Sequence, residues 1–98
     1  MFLLYIKKQT EEICLEVVKR NGRALQFVKE QTEQICLEAV KQNGFALLYV
    51  KEQTKEICFK AVEQHGDAFG HVKKPFVHVI YWMIIFYTHI HKIEFTSY

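Results

Sequence analysis

Two kinds of apolar pattern alternate along this chain from Thr10 onward. In the first, Ile13, Cys14, Leu15, Val17 and Val18 recur at helical spacing. At ~100° per residue they cover an arc of roughly 200°, and Glu12, Glu16, Lys19 and Arg20 fill the remainder. An arc that broad suits a helix touching its own partner and the units on either side. In the second, Ala24, Leu25, Phe27 and Val28 form a shorter cluster, which returns as Ala46, Leu47, Tyr49 and Val50. The pattern predicts a first helix of about ten residues and a second of about eight, starting at Arg23, Phe45 and Asp67.

The alternation is a repeat. Thr10 to Gln31 (TEEICLEVVKRNGRALQFVKEQ) and Thr32 to Gln53 (TEQICLEAVKQNGFALLYVKEQ) align without gaps and are identical at 16 of 22 positions. Thr54 to Pro75 continues the register with more drift, and Phe2 to Gln9 aligns with the second half of a unit. Thr10, Thr32 and Thr54 are placed to cap the first helix of each unit, with Glu11, Glu12, Glu33 and Glu56 near the positive end of its dipole. Asn21-Gly22, Asn43-Gly44 and His65-Gly66 are expected to close that helix, with glycine in the left-handed conformation. Val40 and Phe45 would then supply the apolar contact that accompanies such a stop. Helices this short are marginal alone, so stacking between units must stabilise them. The expected fold is all-α: a short α-solenoid of 22-residue helix-turn-helix repeats with an apolar C-terminal segment. Residues 1–74 form the repeat domain (a partial repeat over 1–9, then 10–31, 32–53 and 54–74), and residues 75–98 form the apolar tail.

That tail breaks the pattern. Phe76 to Ile90, FVHVIYWMIIFYTHI, is apolar, aromatic and β-branched. Three readings stay open: a membrane helix, a packed cover for the last repeat, or a decayed gene end. As a membrane helix its 15 residues reach roughly 22 Å against a ~30 Å hydrocarbon core. Neither the incomplete N-terminal unit nor the tail resembles the polar cap that stacked repeats need. Self-association or attachment to a larger partner is therefore expected.

Charge adds little. Thirteen basic and eleven acidic side chains leave +2, spread evenly, so no basic patch for nucleic acid is expected. The lysines of MFLLYIKKQT follow its apolar run and no small-residue cleavage site succeeds it, which argues against a signal peptide. Cys14, Cys36 and Cys58 occupy one place in successive units. Helices packed about 8–10 Å apart are too distant for a disulfide between equivalent positions. Buried, reduced core thiols and an intracellular, reducing compartment follow. Of the five histidines, His65 replaces a turn asparagine, His71 replaces an aromatic ring, and His78, His89 and His91 lie in the tail. No cysteine or acidic cluster completes a ligand set around them, so no metal is expected. No phosphate loop, paired carboxylates or nucleophile motif occurs; no catalytic residue, cofactor or enzyme activity is expected. Glu16–Arg20, Glu38–Lys41 and Glu56–Lys60 have the spacing of surface ion pairs.

The unit, best seen as Ile35-Cys36-Leu37-Glu38-Ala39-Val40-Lys41-Gln42-Asn43-Gly44 and its two copies, resembles a repeat catalogued as a domain of unknown function, family 4116. That repeat is known mostly from giant viruses of amoebae and some bacteria. The likeness spans Phe2 to about Lys74. It implies helical repeats and a viral origin, hence the host-cell cytoplasm, and supplies no activity or catalytic residue.

Units disagree most informatively at 23/45/67 (Arg, Phe, Asp) and 26/48/70 (Gln, Leu, Gly). Arg23, Gln26, Phe45 and Leu48 are candidates for an interaction face of the kind solenoids present; neutral surface drift explains the same variation. The expected function is a non-enzymatic protein-interaction module, or a remnant of a longer array, binding a protein partner or itself. The alternative is a small membrane-tethered protein anchored by residues 76–90.

Overall fold

A computed structural model describes the backbone of residues 8–96 and the side chains of residues 8–87. Residues 1–7, and with them most of the predicted partial repeat, lie outside the described residues. Each unit begins with a ten-residue α helix: α1 (Glu11–Arg20), α2 (Glu33–Gln42) and α3 (Lys55–Gln64). Each start is capped as expected, the Ile13, Ile35 and Ile57 N–H groups donating to the Thr10, Thr32 and Thr54 hydroxyls at 3.2 Å. The second element of each unit is not an eight-residue α helix. It is a six-residue 3-10 helix: Gly22–Phe27, Gly44–Tyr49 and Gly66–His71.

The link between the two elements departs from the left-handed stop. Among the described residues no glycine has positive φ. Asn21, Asn43 and His65 take that place in extended conformation (φ near −150), and their N–H groups close the α helix on Val17, Ala39 and Ala61. The Asn21 and Asn43 side chains then accept from the Arg23 and Phe45 N–H groups at 3.1 and 2.9 Å, starting the 3-10 helix. His65 makes no such side-chain bond. With no left-handed residue, the proposed Val40–Phe45 cap contact loses its basis. The Phe45 ring meets the next unit, its centroid 4.2 Å from that of His65 and 6.4 Å from that of His71.

Units stack in register as two layers, α helices on one side and 3-10 helices on the other. Helices α2 and α3 each pack against the 3-10 helix of their own unit and of the one before, and α1 packs against that of its own unit. The core runs between the layers through Cys14, Val18, Leu25, Ile35, Val40, Leu47, Ile57 and Val62, joined by small Ala24, Ala39, Ala46, Ala61 and Ala68. The close approach is visible at glycine: a Cβ on Gly22 would strike the Ala39 carbonyl oxygen, and one on Gly44 the Ala61 oxygen. Nothing lies within 4 Å of a Cβ on Gly66, after which no further unit stacks. Of the predicted surface pairs, Glu38–Lys41 is formed at 3.8 Å, and Lys60 joins Glu63 at 3.5 Å rather than Glu56.

The tail is a single helix, α4 (Lys74–Thr96), packed against α3. Ile80 is wholly buried, and Phe76, Val77, Met83 and Ile84 rest on the core beside it. Phe59 meets Tyr87 edge-on at 6.2 Å. Of the three readings of the tail, this is the arrangement of a cover for the last repeat.

Candidate functional site

Stacked linkers are tied together by glutamine. Gln31 precedes the α2 cap, and its side-chain amide reaches the following linker, donating from Nε2 to the Tyr49 carbonyl at 2.8 Å. Its Oε1 accepts from the Lys51 N–H at 2.9 Å. Gln53 does the same to the His71 carbonyl and the Lys73 N–H, both at 2.8 Å, and Gln9 to Phe27 and Lys29 at 2.9 and 3.0 Å. An amide that pairs with the C=O of one residue and the N–H two further on imitates a neighbouring strand. Glutamate would lack the donor at this place. Lysine answers from the other side: Lys51 Nζ donates to the Lys29 carbonyl and Lys73 Nζ to the Lys51 carbonyl, each at 3.0 Å.

The cysteines belong to the same rungs. Cys14, Cys36 and Cys58 are buried and free, and each thiol donates weakly to its glutamine Oε1, at 3.9, 3.5 and 3.3 Å. Burial raises all three thiols above the ordinary 9.0. Cys36, with Glu33 adding to the effect, and Cys58, with Lys73 opposing it, reach about 11. Thiols held protonated in this way are poor nucleophiles and metal ligands. Beside the rungs lie two equivalent open grooves of about 340 and 390 Å³, one lined by Gln31, Thr32, Lys51 and Gln53, the other by Lys8, Gln9, Lys29 and Glu30. Among the described residues no group of three or more His, Cys, Asp or Glu side chains converges on a point.

The candidate face divides. Arg23 and Gln26 are exposed on the first 3-10 helix, and Leu48, 58% exposed, stands on the second, directly stacked against it. Phe45 is half-buried against His65 and His71, which sets it apart from the other three. The glutamine and lysine rungs were missed by sequence reasoning. Their signal was present: glutamine at 9, 31 and 53, and lysine at 29, 51 and 73, at one period.

Stacked two-helix units joined by repeating side-chain rungs define a helical-repeat protein. The chain belongs to the family described as Domain of unknown function (DUF4116), which it matches over residues 10–54 and again over 32–76. The two matches are offset by one repeat. No curated protein and no solved structure matches the chain. Among the described residues no helix is long and apolar enough to cross a membrane, which does not favour a membrane-spanning anchor at residues 76–90.

Proposed function

We propose that this chain is a non-enzymatic protein-interaction module. Its α helices and glutamine rungs form a fixed frame, and the outward side of its 3-10 helices meets a protein partner. The observation that carries the reading is a contrast between units. Positions that join one unit to the next repeat faithfully, as in Gln9, Gln31 and Gln53, whereas the outward positions differ, as in Gln26, Leu48 and Gly70. Leu48 leaves an aliphatic side chain in water, with Gln26 and Arg23 exposed on the neighbouring 3-10 helix. An apolar centre with a polar rim is how protein interfaces are built.

The non-enzymatic part of the reading is supported by what the interior polar groups already do. The glutamine amides and the cysteine thiols are engaged between units, and the thiols are held protonated. The even charge balance favours a protein over a nucleic acid. Three free, buried thiols suit an intracellular, reducing compartment, the host-cell cytoplasm if the chain is viral. The test is retention of a protein from an extract of the source cell by immobilised chain. Leu48→Arg, with unchanged circular dichroism and melting temperature, is expected to weaken retention by at least about tenfold. Equal retention by the two chains would place binding elsewhere and end this reading of the face.

A further inference from the structure

Over residues 74–87 helix α4 carries large apolar side chains on both sides, and among the described residues only one side packs against the repeats. Facing the repeats, Ile80 is buried and Phe76, Val77, Met83 and Ile84 are half-covered. On the other side Val79, Trp82 and Phe86 follow one another at spacings of three and four residues, the seam spacing of paired helices. Trp82 and Phe86 are each 68% exposed, flanked by exposed Tyr81 and Ile85. A helix that is hydrophobic all round belongs in an interior. Here the repeats cover half of it.

We propose that the other half is covered by a second copy of this chain. The two α4 helices would pack antiparallel about a two-fold axis, with Trp82 of one copy over Phe86 of the other. This rests on α4 and is independent of the face around Leu48. Area is the first argument. Val79, Tyr81, Trp82, Ile85 and Phe86 together leave roughly 500 Å² uncovered, aromatic side chains contributing most of it. That approaches the largest apolar patch a monomer ordinarily leaves in water. Doubled across a two-fold it reaches the ~1,000 Å² that a specific interface must clear.

Charge is the second argument. No Asp, Glu, Lys or Arg occurs from Phe76 to His91. Exposed His78 lies on this face one helical turn before Trp82. With that imidazole uncharged the face can meet its own copy without like-charge repulsion, and a two-fold contact requires such self-complementarity. A helix lying on a membrane surface instead carries a cationic polar face opposite its apolar one. The side of α4 opposite Trp82 is spent on α3.

Sedimentation and light scattering of the full chain, from low to high micromolar, test the proposal. The expected species is a dimer of the 11.7 kDa chain. Trp82 is the sole tryptophan, so its emission should shift to the blue with concentration as the dimer forms. Trp82→Glu with Phe86→Lys should raise the dissociation constant by at least about tenfold while helicity is kept. Leu48→Arg should leave the dimer intact. A wild-type chain that stays monomeric with a constant, red-shifted emission would overturn the proposal, as would a dimer that survives the double substitution. Flotation of monomers with anionic phospholipid vesicles would overturn it in favour of a membrane surface.

Discussion

Gly22, Gly44 and Gly66 fill one position of the repeat but meet two different surroundings. A left-handed helix stop would penalise a side chain at all three alike. The observed backbone has no such stop, so the penalty depends on what stacks above. Gly22→Ala and Gly44→Ala push a methyl against the Ala39 and Ala61 carbonyl oxygens, and each is expected to destabilise by about 1–3 kcal/mol. Gly66→Ala meets open space and is expected to be neutral or to stabilise by up to ~1 kcal/mol, through lower entropy of the unfolded chain. Urea unfolding of the three variants checks this, and equal losses at all three would restore the left-handed stop. The residue types were legible in the sequence; the reason for glycine was not, because the obstructing oxygen lies in the next unit.

Among the elements, α1 to α3 were readable because their determinants are local: a threonine cap, acidic first turns and a broad apolar arc. The 3-10 helices were not. Asn21 and Asn43 divide their hydrogen bonds between the helix behind and the helix ahead, and packing against the next α helix holds the tight turns. Helix α4 replaces a fourth unit at a legible point. Pro75 stands where the next glutamine rung would be and Phe76 where the next threonine cap would be. Proline has no side-chain amide to bridge linkers and is tolerated in the first turn of a helix. If α4 is a structural cover, Ile80→Asp buries a carboxylate against α3 and is expected to cost about 3 kcal/mol or more, lowering the melting temperature. Trp82→Asp, at an exposed position, should change the stability of the isolated subunit far less. Similar losses at the two sites would contradict the cover.

At the scale of the whole molecule, burial of the thiols links stability to alkaline pH. Cys36 and Cys58 hold their protons to about pH 11 when folded, against 9.0 for an ordinary thiol. Between these values the native state binds more protons than the unfolded chain, so stability falls as pH rises. The contribution is fully present below pH 9.0 and is lost toward about pH 11, on the order of 2–3 kcal/mol for each thiol. Urea midpoints measured from neutral to alkaline pH should decline over that window. The Cys36→Ala, Cys58→Ala double variant should decline less steeply, and an unchanged slope would mean that the thiols are open to solvent.

The sequence by itself determined the period, the α helices with their threonine caps, the reduced cysteines in the core and the point where repetition ends. Each depends on residues within one turn of helix or on comparison of one unit with the next. The tertiary structure decided what joins the units. A glutamine bonding to backbone groups 18 and 20 residues away leaves no local pattern, and a glycine required by a carbonyl in another helix looks like any turn glycine. It also decided which side of α4 the repeats cover, since a helix apolar all round carries no periodicity to say which face turns inward.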